Sequence, residues 1–114
     1  MIVSWPQIIQ RYQERVKSGA DLKAMLHLAE DIEHSHYHHG LFAWTSMDDL
    51  CIAQTRVAFP YDGPNLQVSP KFNGTMDFRY VDTAVLAKQW YRTVEENEAF
   101  ARLEKFFDQL HWFG

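Results

Sequence analysis

Four of the six histidines in this 114-residue chain lie in one hexapeptide, His34-Ser35-His36-Tyr37-His38-His39. Imidazole is the side chain most often used to bind a metal or to move a proton near neutral pH. His27, Asp31 and His34 stand at i, i+4 and i+7, a spacing that places them on one face of a helix. Together with His38 after the next turn, they could bind Zn or another first-row metal.

The same residues also fit a solvated helix face. Histidines and carboxylates often pair on such faces, and the dipole of a helix favours histidine near its C-terminus. The chain has no HExxH motif and no cysteine ligand pair. We therefore predict no bound cofactor. A metal-binding protein or metal-dependent enzyme that uses the His27–His39 segment is kept as the alternative.

Other residue types with catalytic potential lack a supporting motif. Cys51 lies in the apolar run Leu50-Cys51-Ile52-Ala53, where a buried and unreactive thiol is expected. Ser46 is not part of a G-x-S-x-G elbow. The five glycines are dispersed and form no phosphate-binding loop. The sequence therefore favours a protein without catalytic activity of its own.

The middle of the chain interleaves aromatic and charged side chains. Trp, Tyr and Arg are the residue types that anchor protein contacts. We predict a non-catalytic protein-binding module whose contact residues are Asp48, Asp49, Tyr61, Asp62 and Arg92. A second alternative is a binder of a small anionic ligand, which would be held by Arg79 or Arg92 near Trp90.

Charge and composition restrict the partner. Eleven Lys and Arg face fifteen Asp and Glu, for a net charge of −4, and the basic residues are scattered singly. Nucleic acid is therefore not expected as a partner. The negative charge would steer the chain onto another, basic protein, as in an acidic inhibitor or immunity-like protein. No run approaches 18 apolar residues, so no membrane span is expected, and a single cysteine suits the cytoplasm.

Two helices should open the chain. Ser4 and Gln7 form the pattern of a capping box, and apolar residues recur at helical spacing as far as Val16. Gly19 ends this helix, and the second begins at Ala20 or Asp21 and continues to Gly40. Its buried stripe is predicted as Leu22, Met25, Leu26, Ala29 and Ile32. The short link predicts an antiparallel helical hairpin.

Strands should follow. Residues 41–45 and 50–55 are predicted strands around a turn at 46–49, although a helix starting at Ser46 competes because Ser46 could cap it. The hairpin at 66–81 closes best through a three-residue loop, Phe72-Asn73-Gly74. That loop gives one apolar face, with Leu66, Val68 and Pro70 opposite Tyr80, Phe78 and Met76.

The last third ends in a helix. Residues 84–94 are ambiguous, and we predict a short helical piece followed by a strand. Asn97 should cap the final helix, whose inward residues are Phe100, Leu103, Phe107 and Leu110. The order predicts one α+β domain over residues 1–114, with an N-terminal helical hairpin, a four- to five-stranded antiparallel sheet and a C-terminal helix packed on the sheet. A homodimer could cover the apolar tip Leu110-His111-Trp112-Phe113.

Overall fold

A computed structural model describes residues 2–55, 64–82 and 86–113 of the chain. Two helices come first, then five strands, then a third helix, so the predicted α+β order is confirmed. The helices are α1 (Trp5–Lys17), α2 (Lys23–His34) and α3 (Ala99–Leu110). The strands are β1 (Phe42–Ser46), β2 (Asp49–Ala53), β3 (Asn65–Pro70), β4 (Thr75–Val81) and β5 (Trp90–Glu95). Short 3₁₀ helices cover His36–Gly40, Leu86–Lys88 and Glu96–Glu98.

The five strands form a meander in which each strand pairs antiparallel with the next along the chain. The predicted β3–β4 register is confirmed, with Leu66 opposite Tyr80 and Val68 opposite Phe78. Gly74, the last residue of the predicted three-residue loop, is left-handed, with φ +88°. This register follows from the alternation of apolar residues, because a slip by one residue would turn every apolar side chain to the opposite face.

The helical hairpin begins as predicted and continues differently. Ser4 and Gln7 form the capping box, and Gly19 has φ +97° after the end of α1. However, α2 begins at Lys23 rather than at Ala20 or Asp21. The backbone N–H groups of Gly19 and Ala20 donate to carbonyls of α1, which extends the turn between the helices and delays the second start.

The second helix ends earlier than predicted, at His34 and not at Gly40. Ser35 is extended, and its hydroxyl donates to the Ile32 carbonyl at 2.7 Å and accepts from the Tyr37 N–H at 3.2 Å. This side chain competes with the helical hydrogen bonds, so the chain turns into a separate 3₁₀ helix. The buried stripe of α2 contains Leu28, whereas the predicted Leu26 is only partly buried.

The predicted cap of the last helix is wrong. Residues 96–98 form a 3₁₀ turn whose first N–H donates to the Gly74 carbonyl at 3.0 Å. This contact with the β3–β4 loop holds Asn97 before the helix, and α3 starts at Ala99 without a side-chain cap. The inward stripe of α3 consists of Leu103, Phe106 and Phe107, with Phe100 and Leu110 partly buried.

The sheet has an inner face covered by helices and an outer face. Inner residues such as Leu50, Leu66 and Phe78 join the buried residues of all three helices in the main core. The outer face contains a smaller buried cluster of Trp44, Cys51 and Ala53, with Ile2 packed against it. The two faces thus differ in what covers them, and the outer face becomes polar toward β5.

The C-terminal tip packs against the chain, with Trp112 buried and Leu110 and Phe113 partly buried. The Trp112 ring stacks on Phe107 with centroids 5.8 Å apart, and the Phe113 ring lies 4.9 Å from that of Tyr37. Gly40 leaves room for this contact, because a Cβ there would lie 2.8 Å from Phe113 Cε1. These contacts cover Trp112 and part of Phe113 within the chain, and the homodimer stays a prediction.

No helix in the described ranges has both the length and the apolar character needed to cross a bilayer.

Candidate functional site

The predicted metal ligands do not converge. His27 and Asp31 are exposed on α2, His34 is the last residue of α2, and His38 belongs to the following 3₁₀ helix. Within the residues that the structure describes, no three or more His, Cys, Asp or Glu side chains are grouped so as to hold a metal ion. Metal binding by these residues stays a hypothesis without geometric support.

His38 is the histidine with a defined role in the local structure. Its Nδ1 lies 2.7 Å from the Ser35 carbonyl oxygen, and its ring lies 3.8 Å from that of His39. A carbonyl only accepts hydrogen bonds, so Nδ1 must carry the hydrogen. In the neutral ring, Nε2 is then an acceptor.

A mainly apolar cleft of about 350 Å³ lies next to His38. Residues 2–6 form one side, and Glu33, Leu41 and Phe42 complete it. Trp5 in its wall is only 6% exposed, and its indole N–H has no hydrogen-bond partner among the residues that the structure describes. Nearly all buried polar groups in proteins are paired, which makes this nitrogen unusual.

A second cleft of about 400 Å³ separates α2 from the start of α3. It contains two of the predicted metal ligands, His27 and Asp31, and charged groups of both signs on its rim, Lys23 and Glu96. Apart from the half-buried Glu96, these side chains are exposed. Polar groups with such open surroundings bind ligands weakly, because water competes for each of them.

The predicted protein-contact residues are dispersed. Asp48 lies in the β1–β2 turn and forms an ion pair with Arg15 at 3.2 Å, so its charge is largely compensated within the chain. Asp49 starts β2 and is half-buried, whereas Arg92 lies on β5 with its guanidinium 5.5 Å from the Trp90 ring. Tyr61 and Asp62 lie outside the described residues.

Two of the predicted anion-binding residues, Arg79 and Trp90, face opposite sides of the sheet, whereas Arg92 lies on the same face as Trp90. Arg79 is on the outer face and donates to Gln67 Oε1 at 2.8 Å. Trp90 is on the inner face, opposite Tyr80 in the register and 4.7 Å from the Phe106 ring. One small ligand therefore cannot contact Arg79 and Trp90 together, and a small-anion site stays a hypothesis.

The outer face of β4 and β5 contains a buried carboxylate that the sequence did not single out. Asp77 is 6% exposed and accepts hydrogen bonds from Tyr91 and, at 2.9 Å, from Thr93 Oγ1. Lys71 Nζ lies 3.3 Å away. Burial by itself would raise the pKa of Asp77, but these three partners outweigh it, and the pKa lies below its ordinary value.

Replacing Asp77 by asparagine should lower the free energy of unfolding by about 1–2 kcal/mol at pH 7, because the amide loses the ion pair and faces two donors with one oxygen. The carboxylate has a lower pKa when folded than when unfolded. Its contribution is therefore complete above about pH 4 and is lost as the pH falls through the folded value. Urea unfolding at pH 7 and pH 2.5 checks both points. Asp21→Asn at an exposed position is the control, and an equal loss at both pH values would contradict the expectation.

Two large apolar side chains project from turns at one end of the sheet. Met47 is 86% exposed and Phe72 is 57% exposed. Both turns link consecutive strands of the meander, β1 to β2 and β3 to β4, so they lie at the same end. Since strands are spaced about 4.8 Å apart, the two turns are about 10 Å apart. We call Met47, Phe72 and their turns the turn end.

Both side chains stand on strained backbone. Met47 has φ +57° and Phe72 has φ +62°. Met47 is the first residue of a two-residue turn between Ser46 and Asp49, a position that normally requires glycine. The left-handed region costs a non-glycine residue about 1–2 kcal/mol. Both residues were predicted to lie in turns but not to form a site. The sequence does indicate them, because each is a large apolar residue at a turn position where Gly or Asn is usual.

The surrounding hydrogen bonds hold the β1–β2 turn against α1. Arg11 Nη2 donates to the Met47 carbonyl, and Tyr12 Oη donates to the Asp48 carbonyl at 3.0 Å. Arg15 donates from two nitrogens to the Asp48 carboxylate, each at 3.2 Å. The turn is therefore positioned by the helix and not only by its own residues.

The β3–β4 loop is fixed in a different way. Asn73 Oδ1 accepts from the Thr75 N–H at 3.1 Å, and the Lys71 N–H donates to the Thr75 carbonyl at 3.2 Å. The Gly74 carbonyl accepts from the Glu96 N–H at 3.0 Å. These bonds tie the loop that carries Phe72 to the segment before α3.

Comparison with known protein families, characterised proteins and solved structures finds no match to this chain. Its function is therefore inferred from its own geometry.

Proposed function

We propose that this chain is a non-catalytic protein-binding module and that the turn end is its contact surface. The observation that carries the proposal is the exposure of Met47 and Phe72 on left-handed backbone. Non-glycine residues held in the left-handed region are a reason to look for function. Met and aromatic residues are also enriched in protein interfaces.

The energetics of the two residues favour this proposal over a structural role. An exposed side chain contributes little to the core, and glycine would fit either φ without strain. Met47 and Phe72 thus lower the stability of the free chain. Burial of the same side chains against a partner would recover about 1.5–3 kcal/mol for each of them.

Hydrogen bonds from α1 hold the β1–β2 turn, and a hydrogen bond from the segment before α3 holds the β3–β4 loop, as expected for a preformed binding surface. A turn held by side-chain and backbone hydrogen bonds loses little conformational freedom when it binds. The spacing of about 10 Å allows one partner surface to contact both side chains. The expected complement is a protein with two neighbouring apolar pockets, or one groove of that length.

Charge would raise the rate constant of association with the partner more than it would raise the affinity. The net charge of −4 favours a basic partner, as in an acidic inhibitor or immunity-like protein. Asp48 adds little to this attraction because Arg15 compensates it. The half-buried Asp49 and the exposed Glu95 remain available near the turn end.

We place this activity in the cytoplasm. The single cysteine, Cys51, is buried, and burial raises the pKa of its thiol to about 12. A buried, protonated thiol is unreactive and forms no disulfide, which agrees with a reducing compartment. A homodimer is not part of the proposal, since contacts within the chain cover Trp112 and part of Phe113.

The double variant Met47→Gly/Phe72→Gly tests the proposal through two opposite effects. Removal of the left-handed strain should raise the free energy of unfolding. The net gain should be about 1 kcal/mol for both replacements together, because glycine loses more backbone entropy on folding and offsets part of the strain that is removed. Loss of two apolar anchors should weaken partner binding by about a hundredfold. The partner is first recovered from a lysate of the source cells, identified by mass spectrometry and purified, and its Kd is then measured by calorimetry.

Tyr91→Gln is the matched control. Among the residues that the structure describes, Tyr91 is another exposed large apolar residue, at 54%, but it lies on the outer face away from the turns. Its replacement should leave the Kd within about twofold of wild type. Equal affinity of the double variant and the wild type for the purified partner would refute the turn end as the contact surface.

A further inference from the structure

The cleft beside His38 combines a donor without an acceptor, an acceptor and apolar walls. It lies between residues 2–6, Glu33, Leu41 and Phe42 and has a volume of about 350 Å³. We propose that this cleft binds a small, neutral, mainly apolar molecule that carries a hydroxyl group. The proposal is independent of the turn end, with which it shares no residue.

The donor is the indole N–H of Trp5. The residue is 6% exposed, and none of the described parts of the chain supplies a hydrogen-bond partner to the nitrogen. The ordinary explanation for a buried, unpaired N–H is a missing partner such as a water or a ligand. Trp5 lines the cleft and its nitrogen is buried, so the proposal requires a rotation of the indole that brings the N–H to a bound oxygen.

The acceptor is Nε2 of His38. Nδ1 donates to the Ser35 carbonyl at 2.7 Å, so the neutral ring presents its lone pair at Nε2. A hydroxyl group both accepts and donates one hydrogen bond. It therefore matches a site in which one wall offers an N–H and another offers a lone pair.

The rest of the wall determines the charge and size of the ligand. Ile2, Val3, Pro6 and Leu41 are apolar, and Glu33 is the one carboxylate in the lining. An anionic ligand would be repelled by Glu33, and the described residues of the lining include no Lys or Arg to offset this repulsion. The volume suits a molecule of one or two rings, since ligand sites usually measure about 300–1,000 Å³.

The test uses 4-ethylphenol as the probe and ethylbenzene as the matched molecule without a hydroxyl. The chain has four tryptophans, so a ¹⁵N–¹H spectrum resolves four indole N–H signals, and the one absent from Trp5→Phe is that of Trp5. Binding of 4-ethylphenol should shift the Trp5 signal downfield in a saturable way. Ethylbenzene should bind about tenfold more weakly, because it cannot form the two hydrogen bonds.

Two variants separate hydrogen bonding from packing. Trp5→Phe retains the aromatic ring and removes the donor. His38→Asn keeps a donor for the Ser35 carbonyl but lacks the Nε2 acceptor. Each should weaken 4-ethylphenol binding by about tenfold and leave ethylbenzene binding within about twofold. Unchanged signals from the other indole groups show that each variant is folded.

His27→Asn is the control, because His27 lines the cleft between α2 and α3 instead. This variant should bind 4-ethylphenol as the wild type does. Equal affinities of the wild type for 4-ethylphenol and ethylbenzene would overturn the hydroxyl assignment. Absence of a saturable Trp5 shift up to about 10 mM probe would overturn the site itself.

Discussion

Replacing Phe107 by alanine is expected to lower the free energy of unfolding by about 3–5 kcal/mol, which is the range for a buried phenylalanine in a well-packed core. Phe107 is fully buried on α3. Its ring contacts those of Tyr37, Phe113 and Trp112 at centroid distances of 5.1, 5.2 and 5.8 Å. Truncation removes a large apolar side chain and leaves a cavity bounded by three rings.

The effect should extend beyond the cavity. Tyr37 belongs to the 3₁₀ helix of the histidine segment, and Phe113 and Trp112 belong to the C-terminal tip, so Phe107 joins these two segments. Urea unfolding gives the change in stability, and hydrogen exchange of residues 36–40 and 112–113 should accelerate more than that of the sheet.

Phe100→Ala is the matched control in the same helix. Phe100 is partly buried, and its ring lies 6.3 Å from that of Tyr37. Its truncation should cost about 1–2 kcal/mol, because less apolar area is lost and water can fill the space. Equal losses of unfolding free energy for Phe100→Ala and Phe107→Ala would contradict the expectation that the contacts of Phe107 with Tyr37, Trp112 and Phe113 dominate the packing at this end of α3.

Alkaline pH should destabilise the chain by about 4 kcal/mol between pH 9 and pH 11, which approaches the whole stability of a small domain. Burial, followed by the Asp49 carboxylate, raises the pKa of the Cys51 thiol from its ordinary 9.0 to about 12. The same two causes, in the same order, raise the pKa of the Tyr12 hydroxyl well above its ordinary 10.0.

The sign follows from the protonation states. Both groups are neutral in the folded chain and ionise more readily in the unfolded chain. Their contribution is therefore complete below the unfolded pKa and falls above it, by about 1.4 kcal/mol per pH unit for each group. The loss begins above pH 9 for Cys51 and above pH 10 for Tyr12, and for Cys51 it is complete near pH 12.

Urea unfolding at pH 7, 9, 10 and 11 measures this slope, and Cys51→Ala/Tyr12→Phe provides the comparison. The double variant should be less stable at pH 7, because it loses thiol packing and the Tyr12 hydrogen bond to Asp48. Its slope above pH 9 should be smaller than that of the wild type, with the remainder coming from the raised pKa values of Tyr37, Tyr80 and Tyr91. Identical slopes would contradict the assignment.

Most of the fold could be predicted from local patterns. The capping box at Ser4 and the register around Asn73 depend on neighbouring residues, whose geometry the sequence specifies directly. The start of α2, the break at Ser35 and the start of α3 could not be predicted in this way. Each is decided by a hydrogen bond that competes with the local helical signal, and the one before α3 comes from Gly74, more than twenty residues away.

The candidate sites were less predictable for the same reason. The spacing of His27, Asp31 and His34 satisfied a helical pattern, yet a metal site needs ligands from more than one direction. The turn end depends on φ values at Met47 and Phe72 that the residue types disfavour. The cleft at Trp5 depends on an indole nitrogen without a hydrogen-bond partner among the described residues. Whether such a nitrogen is paired depends on side chains from several elements, which the sequence does not place.

The sequence by itself determined the order of helices and strands, the pairing of β3 with β4 and the apolar face that these two strands share, because periodicity and turn chemistry act over a few residues. The tertiary structure alone decided which side chains meet across elements and which are left exposed or unpaired. The physical reason is that contacts between distant residues depend on how whole elements pack, and packing selects among local alternatives whose free energies differ by only about 1 kcal/mol.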